Sequence, residues 1–359
     1  MPPHGPLVPH SRPTLDEDHV RAVAEVIRSG YLAQGEVTRR FEQEVARVLG
    51  VRDGVATSSG TAALHLALLA LGAGPGDEVI LPSYTCVALL QAVRYVGAVP
   101  CLVDLEPDGY NLSVREVRRR VTRRTRAILV PHMFGTPADI EGICGLGVPV
   151  IEDVAQALGA RIRGRPVGSF GTVAVCSFYA TKVITTGEGG MLLSNSDLLL
   201  RRAREMRDYT GRRDSVRFNY RMTDLQAALG LCQLRRLPAF LERRSFLAER
   251  YTVHLRALGL HPPTAPPQCT PIHYRYVVSV PDAAGVAERM RALGVECKSP
   301  VACPLHRYLR QSGFPRTDRA HRTALSVPLY PSLREDEVDR ILRALEVTLV
   351  PQAGVAWRR

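Results

Sequence analysis

The chain carries only two lysines, Lys182 and Lys298, although lysine and arginine together number 47 in its 359 residues. Arginine replaces lysine well on a surface, but its guanidinium stays protonated and cannot act as an amine nucleophile toward an aldehyde. Each remaining lysine is therefore a candidate for chemistry. Lys182 lies in SFYATKVITTGEGG, a predicted strand followed by a turn of small residues. Lys298 lies outside any recognisable motif, so we expect Lys182 to be the reactive amine.

Two acids, Glu152 and Asp153, end a predicted buried strand in IEDVAQALGA. The carboxyl ends of strands are where open α/β sheets bind ligands, and a carboxylate buried there needs a cationic partner. The protonated pyridine nitrogen of pyridoxal phosphate (PLP) is such a partner, and the pairing keeps the ring an electron sink. Because side chains alternate along a strand, only one acid faces the site, and we assign Asp153. The alternative is an acid that caps the next helix.

Small residues in SSGTAAL, residues 58–64, open directly into a predicted apolar helix. The first amides of a helix lack carbonyl partners and lie at the positive end of its dipole, so this turn predicts an anion site that fits a phosphate. Ser177, at the start of the lysine segment, can offer a hydroxyl to the same phosphate. Ser-Gly-Thr before a helix is often a plain N-cap, so this assignment depends on Lys182 and Asp153.

Short apolar runs alternate with helical segments over residues 55–193, which predicts a parallel or mixed sheet covered by helices. The predicted strands are 78–81, 99–103, 127–131, 148–152, 173–178 and 190–193, and the predicted helices are 61–71, 86–96 and 115–126.

A long helical stretch begins at Asp224 and runs toward the proline-rich segment HPPTAPPQCTP, which is typical of a linker. Beyond it, a predicted strand at 274–280 and predicted helices at 283–293 and 335–349 indicate a small α/β domain. We therefore divide the chain into an N-terminal arm with a large PLP-binding domain, residues 1–245, and a small C-terminal domain, residues 246–359.

The net charge of +12 invites a nucleic-acid interpretation, but the arginines are spread along the chain and the densest run, REVRRRVTRRTR, lacks interleaved aromatics. We expect no nucleic-acid partner. Cys303 and His306 have no second ligand pair, so we expect no metal site. Apolar stretches are too short for a membrane span, and the N-terminus lacks the apolar core of a signal peptide. We therefore expect a cytoplasmic protein with no membrane partner.

These segments resemble the DegT/DnrJ/EryC1/StrS sugar aminotransferases, which are fold-type I PLP-dependent enzymes. The resemblance covers nearly the whole chain and rests on SRPTLDEDHVRAVAEVIRSGYLAQG, SGTAALHLAL, GDEVILPSYT, EDVAQALGA, SFYATKVITTGEGG, NYRMTDLQAALG, PLH and LSVPLYPSL. It implies the α/β fold of that group: a large domain with a mixed, mostly parallel sheet covered by helices, and a smaller C-terminal α/β domain.

The resemblance also implies roles for individual residues. The cofactor contacts it implies are Gly60, Thr61 and Ser177 at the phosphate, Gln156 at the ring oxygen and Lys182 in the internal aldimine. Asn219 would reach the phosphate of the neighbouring subunit's cofactor, which implies a homodimer with shared sites. Tyr31 and His306 align with positions that commonly contact the sugar, and each can equally be structural.

One position departs from the family pattern. In PSYTCVA, Cys86 stands where the family usually has an aromatic residue that stacks on the cofactor ring. Either Tyr84 supplies that ring or this branch uses a thinner contact.

The activity implied by the resemblance is a ping-pong transfer of an amino group from an amino acid, typically L-glutamate, to a keto sugar. A nucleotide-linked 4-keto or 3-keto sugar is the expected acceptor, in amino-sugar biosynthesis for a polysaccharide or an antibiotic. A cyclitol (inosose-type) acceptor and a non-catalytic PLP-binding regulator stay open as alternatives. A dehydratase branch carries histidine in place of the lysine, so Lys182 argues against it. An aldolase or desulfurase is a further rival, and the desulfurase lacks its motif-embedded cysteine here.

Overall fold

The computed structural model describes residues 6–209 and 216–349 of the chain. Its strands are β1 (Asp53–Thr57), β2 (Glu78–Pro82), β3 (Val99–Val103), β4 (Thr125–Pro131), β5 (Val150–Asp153), β6 (Arg161–Ile162), β7 (Arg165–Pro166), β8 (Val173–Ser177), β9 (Gly190–Ser194), β10 (Cys269–Thr270), β11 (Tyr276–Ser279) and β12 (Ala324–Val327). Its helices are α1 (Glu17–Ser29), α2 (Glu36–Leu49), α3 (Gly60–Ala70), α4 (Val87–Tyr95), α5 (Val114–Arg120), α6 (Ile140–Cys144), α7 (Asp197–Arg207), α8 (Asp224–Arg235), α9 (Leu237–Ala257), α10 (Ala283–Ala292), α11 (Leu305–Tyr308), α12 (Pro315–Thr323) and α13 (Glu335–Leu349).

Seven strands form the main sheet, in the order β1-β9-β8-β5-β4-β2-β3. The pairs from β8 through β3 are parallel, whereas β9 runs antiparallel to both of its neighbours, β8 and β1. The sheet is therefore mixed and mostly parallel, as predicted. All six strands predicted for residues 55–193 are present, with ends shifted by at most two residues, and β1 is an additional strand.

Alternate side chains of the buried strands enter two different cores, one on each face of the sheet. In β5, for example, Val150 packs with α2 and α8 residues such as Val45 and Ala227, whereas Ile151 packs with α3 and α4 residues such as Leu66. Helices thus cover both faces, and this explains why the strands appear in the sequence as continuous apolar runs. Because both faces are covered, a ligand can bind at the edge formed by the carboxyl ends of the strands.

That edge carries most of the predicted cofactor residues. The carboxyl ends of β1, β2, β4, β5 and β8 lie on one side because these strands run in the same direction, and antiparallel β9 begins there. The segments that follow β1 and β5, and the loop from β8 to β9, therefore meet at this edge.

The helix predicted for residues 115–126 is wrong in its second half. Helix α5 ends at Arg120, Val121 has extended dihedral angles, and Thr125 already opens β4. The amide of Thr125 donates to the carbonyl of Thr122, and the Thr122 hydroxyl bonds to Glu78 of β2. The arginine pattern fits a helix, but this threonine turn ends it and lets the chain enter the sheet.

The C-terminal elements form a second core around the antiparallel pair β11–β12, packed against α10 and α13. Helix α9 contributes to both cores: Leu237 and Phe240 pack beneath the large sheet, and Tyr251 and Leu255 pack with β11. Residues 245 and 246, the predicted domain boundary, thus lie within one helix. The division at that point stays a prediction.

The N-terminal arm lies on the C-terminal elements. Val8 forms a parallel bridge with Val295 and packs in the core around β11–β12. The sequence-based division groups this arm with the large domain, whereas Val8 packs on the small one; nearer to α1, Thr14 accepts a hydrogen bond from Gln233 of the large domain.

Candidate active site

The first turn of α3 begins just beyond the carboxyl end of β1. Ser59 is the N-cap, and its hydroxyl accepts a hydrogen bond from the amide of Ala62 at 3.1 Å. The amides of Gly60 and Thr61 precede Ala62 and have no carbonyl partner within the helix. They lie at the positive end of the helix dipole, so this turn can bind an anion such as a phosphate.

Close packing brings Ser177 to the same turn. A Cβ on Gly60 would lie 2.8 Å from the Cβ of Ser177 and 3.2 Å from its Oγ, so the approach requires glycine. On the β9 side, a Cβ on Gly190 would lie 2.3 Å from the carbonyl oxygen of Ser59. The structure therefore brings Gly60, Thr61 and Ser177 together, and their contact with a phosphate stays a prediction.

Lys182 lies in the loop that joins β8 to β9. The amide of Lys182 donates to the carbonyl of Tyr179 at 2.8 Å, which forms a tight turn around the lysine. The base of the loop is closed by two hydrogen bonds of Phe178, one to the carbonyl of Gly189 and one from the amide of Thr186, both 2.9 Å. These bonds hold the half-buried amine of Lys182 at the sheet edge. Lys298, in contrast, has a side chain 55% exposed and pairs with Glu296 at 3.4 Å.

The two acids that end β5 have different surroundings. Glu152 is fully buried and accepts hydrogen bonds from three backbone amides, those of Gly168, Phe170 and Gly171, at 2.7, 2.7 and 2.5 Å. It also accepts a hydrogen bond from Nε2 of His132 at 3.1 Å, so its charge is satisfied within the protein. Asp153 is buried too, and its carboxylate accepts the amide of Ala155 at 2.9 Å.

Electrostatics separate the two acids further. Burial raises the pKa of Asp153, and the amide of Ala155 and the charge of Lys182 only partly oppose that rise. Burial also acts to raise the pKa of Glu152, but His132 and the amides bonded to it outweigh burial and lower that pKa. The Asp153 carboxylate thus lacks a compensating cation of its own. A protonated pyridine nitrogen would compensate it, so the residues present fit PLP.

His132, which follows β4, is a residue that the sequence analysis missed. The amide of Ala138 donates to its Nδ1 at 3.0 Å, so Nε2 carries the proton that is donated to Glu152. The backbone amide of His132 donates to the carbonyl of Asp153 at 3.2 Å. His132 and Glu152 therefore fix the end of β5 from which Asp153 projects. The signal in the sequence was a histidine directly after a buried strand.

Gln156 lies in the turn after β5. Its side-chain carbonyl accepts the amide of Phe134 at 3.0 Å, which leaves the amide nitrogen of Gln156 as the group that can donate elsewhere. This orientation is compatible with the predicted contact to a ring oxygen, which stays a prediction.

Tyr274 is a second residue that the sequence analysis missed. The Nζ of Lys182 lies 5.3 Å from the centroid of its ring, and its hydroxyl lies 3.4 Å from the Thr181 hydroxyl. Burial alone would raise the pKa of this phenol, but the charges of Lys182 and Arg275, with help from Thr181, lower it to about 8. The reactive amine is therefore bordered by a buried phenol in a positive electrostatic environment. Nothing in the local sequence linked Tyr274 to Lys182, which is far away along the chain.

Asn219 and Tyr31 are exposed in the single chain. Asn219 lies in a segment that borders the phosphate turn, because the carbonyl of Tyr220 accepts the amide of Ser58 at 2.7 Å. Tyr31 follows the last residue of α1 and its C-cap, and is 82% exposed. Neither side chain joins the buried groups around Lys182. Their predicted contacts, with a neighbouring subunit's cofactor and with a sugar, stay predictions.

His306, the other predicted sugar contact, is buried and already engaged. The Ser83 hydroxyl accepts the backbone amide of His306 at 3.2 Å and lies 2.8 Å from its Nδ1, so the hydroxyl donates to that nitrogen. The Nε2 of His306 faces Asp318 at 3.4 Å, and its ring stacks on Phe314 at 5.0 Å. These contacts support a structural role that holds α11 against the end of β2. A sugar contact stays a prediction.

The structure distinguishes the two possibilities for Cys86, the position where the family usually has a stacking aromatic residue. Tyr84 is completely buried and packs against the rings of Tyr110 and Phe134, at 6.0 and 6.4 Å between centroids. Its ring is therefore committed to that cluster and is not free to stack on a cofactor. Cys86 is exposed at the N-cap of α4, which favours the thinner contact.

Other kinds of site find no support in the described chain. Residues 6–209 and 216–349 hold no cluster of three or more potential metal ligands, and Cys303 hydrogen bonds to the Pro304 carbonyl. None of the helices described is both long and apolar enough to cross a membrane.

A half-buried lysine in a tight turn, an uncompensated aspartate and a helix N-terminus at one edge of a mostly parallel sheet define a PLP-dependent enzyme of aminotransferase type. The chain belongs to the DegT/DnrJ/EryC1/StrS aminotransferase family, whose model matches residues 13–346. Its members are PLP-dependent transaminases, and PLP is therefore the cofactor.

Two curated proteins and a solved structure are similar to this chain over nearly its full length. The chain is 36% identical to the GDP-perosamine synthase of Caulobacter vibrioides, over 96% of this chain and 99% of that protein. It is 34% identical to the UDP-N-acetyl-3-dehydro-alpha-D-glucosamine 3-aminotransferase of Acidithiobacillus ferrooxidans, over 95% and 96%. The crystal structure of the aminotransferase TlmJ from Streptoalloteichus hindustanus superposes with a TM-score of 0.90 at 35% identity, over 96% of this chain and 99% of that one.

Proposed function

We propose that this enzyme transfers an amino group from L-glutamate to a nucleotide-linked 4-keto or 3-keto sugar by a ping-pong mechanism. The observation that carries the proposal is the placement of Lys182, Asp153 and the first turn of α3 at one edge of the sheet. The names of both relatives support the acceptor class, because one is a GDP-sugar enzyme and the other acts on a UDP-linked 3-dehydro sugar. A lysine at position 182 supports transamination over dehydration.

When bound, PLP supplies an electron sink that stabilises negative charge at the donor's α-carbon. The residues of the chain then have separate tasks. Asp153 holds the positive charge on the ring nitrogen, and the amides of Gly60 and Thr61 with the Ser177 hydroxyl hold the phosphate. The amine of Lys182, once displaced by the donor, is the base that moves a proton from the donor's α-carbon.

The same amine serves the second half of the reaction in reverse. It moves a proton to the carbonyl carbon of the keto sugar, which receives the nitrogen, and its fixed position on one side of the site delivers that proton to one face. The hydrogen bonds at the base of the β8–β9 loop maintain this position. Stereospecific amination follows from a base that cannot change sides.

The proposal includes a homodimer in which each active site is built from residues of both subunits. It also includes a cytoplasmic location. Asn219 supports the shared site, because it lies exposed beside the phosphate turn of its own chain and is free to reach a second copy.

The test is an absorption spectrum of the purified enzyme with PLP, recorded before and after addition of L-glutamate. We expect the band of the pyridoxal form to be replaced by that of the pyridoxamine form, and Lys182→Ala to prevent the change. Keto-sugar nucleotides should then restore the first band. A band that no amino donor changes would contradict the proposal and favour the PLP-binding regulator. Restoration by an inosose but by no nucleotide sugar would favour the cyclitol enzyme.

A further inference from the structure

Positive charge is concentrated beside the reactive lysine, around the ring of Tyr274. The Nζ of Lys182 lies 5.3 Å from the ring centroid, and the Cζ of Arg275 lies 5.2 Å from it. Arg244 is also close, because its buried guanidinium donates to the Tyr274 carbonyl at 3.2 Å. Among the residues that the structure describes, no carboxylate forms an ion pair with any of these three cations.

Two of the three cations have other tasks. Lys182 is the reactive amine, and Arg244 is buried with its Nη1 donating to three backbone carbonyls, those of His273, Tyr274 and Leu329 at 3.2, 3.2 and 2.9 Å. Arg275 is different, because it is only half-buried and its guanidinium contacts the ring nitrogens of His10 at 3.0 and 3.3 Å. Burial and the nearby charges of Arg275 and Lys298 lower the pKa of His10 to about 3, so that imidazole is neutral and does not compensate the guanidinium.

The backbone places Arg275 at the same edge as the cofactor residues. Its amide donates to the carbonyl of Phe134 at 3.4 Å, and the amide of Phe134 donates to Gln156 at 3.0 Å. Arg275 is thus linked on one side to Lys182 through Tyr274, and on the other to the predicted ring-oxygen contact through Phe134. Both links place Arg275, which has no ion-pair partner among the described residues, at the edge of the sheet that holds Lys182.

We propose that Arg275 binds the α-carboxylate of the amino donor. The donor amine must take the place of the Lys182 amine, and the α-carboxylate is separated from that amine by one carbon. The carboxylate must therefore come to rest a few ångströms from the lysine nitrogen, and a planar guanidinium there can bind both of its oxygens. The positive environment reported by the lowered pKa of Tyr274 agrees with an anion in this position. This inference rests on the proposed function, since it names the group that recognises the donor.

The test separates the two half reactions. Arg275→Gln should raise the glutamate concentration needed for half-maximal conversion of the pyridoxal form by about 10- to 100-fold, the loss expected for one charge-assisted carboxylate pair. Conversion of the pyridoxamine form by a keto-sugar nucleotide should keep its rate. Arg256→Gln, a change at an exposed arginine of α9, is the matched control and should alter neither half reaction.

A second measurement compares two substrates within each enzyme, so it does not depend on how much active protein each variant yields. The wild-type enzyme should discriminate against the α-amide of glutamate, isoglutamine, by a similar factor, because the amide cannot pair with a guanidinium as a carboxylate does. Arg275→Gln should lose most of that discrimination, and Arg275→Lys should retain part of it. Calorimetric binding of 2-methyl-L-glutamate, which has no α-proton to lose, should weaken in parallel and gives a readout independent of turnover.

The outcomes are distinct. If the wild-type enzyme responds to no amino acid, the proposed function fails. If the wild-type enzyme responds to glutamate but accepts isoglutamine equally readily, or if Arg275→Gln leaves the response to glutamate unchanged, the assignment of Arg275 is wrong while the function stands. A defect confined to the keto-sugar half reaction would also overturn the assignment, because Arg275 would then belong to the acceptor.

Discussion

Replacing Glu152 by glutamine should destabilise the protein strongly, although Glu152 does not face the cofactor. Its Oε1 accepts the amides of Phe170 and Gly171, and its Oε2 accepts the amide of Gly168 and the Nε2 proton of His132. Glutamine has one carbonyl oxygen, so two of these donors would face an amide group that also donates.

The magnitude follows from those contacts. Two hydrogen bonds to a charged acceptor are lost at about 1.5–3 kcal/mol each, and two buried donors are left unsatisfied. We expect the free energy of unfolding to fall by about 3–5 kcal/mol, the range found when one member of a buried charged pair is removed. Glu335→Gln is the matched control, because Glu335 is exposed and pairs with two surface arginines, and it should change stability far less.

The sign of the pH dependence provides an internal check. Because the pKa of Glu152 is lower in the folded protein, its contribution is present above the unfolded pKa of about 4.3 and is lost as pH falls through the folded pKa. The difference in the free energy of unfolding between wild type and Glu152→Gln should therefore become smaller as the pH is lowered.

The assay is urea unfolding without added PLP, since a bound cofactor would add its own stability. This reasoning would be refuted if Glu152→Gln lowered the free energy of unfolding by less than about 1 kcal/mol at neutral pH. It would also be refuted if the stability difference between the two proteins grew at acid pH.

Three further predictions concern the cofactor site. Asp153→Asn should abolish transamination yet leave the cofactor-free protein at least as stable as wild type at pH 7. Burial raises the pKa of Asp153 in the folded protein, so the ionised carboxylate costs stability above its unfolded pKa. A lower free energy of unfolding in urea would contradict this prediction. Gly60→Val should weaken PLP binding at least about tenfold in equilibrium titration, because a Cβ there meets Ser177 at 2.8 Å, whereas Gly74→Ala, which meets nothing within 4 Å, should not. Mixing inactive Lys182→Ala and Asn219→Ala subunits should restore up to about a quarter of wild-type activity if sites are shared, and none if each chain completes its own.

The main sheet was largely predictable because most of its strands are parallel and buried on both faces, which leaves continuous apolar runs in the sequence. Strand β1 escaped prediction because DGVAT is short and opens with Asp53 and Gly54, residues that are rare in strands. It forms at the edge of the sheet because β9 offers it an antiparallel partner, which no local pattern reveals.

The residues of the site were likewise predictable only where a local sequence pattern marks them. Lys182, Asp153 and the turn at Gly60 stood out because each has a residue type that its chemistry requires within a local motif. Tyr274 and Arg275 did not, since they approach Lys182 from a segment that follows the proline-rich linker. His306 was predicted from resemblance alone, and the structure shows a histidine whose two ring nitrogens already face Ser83 and Asp318.

The contrast between the two lysines has a practical consequence for labelling. An amine-directed reagent meets one open lysine side chain, Lys298, on the surface, while Lys182 is half-buried beside Tyr274 and is masked further when PLP occupies it. Dyes or surfaces can therefore be attached through lysine at essentially one defined place, remote in sequence from the reacting residues. Protection of Lys182 from the same reagent would then report, by mass spectrometry, the fraction of subunits loaded with cofactor.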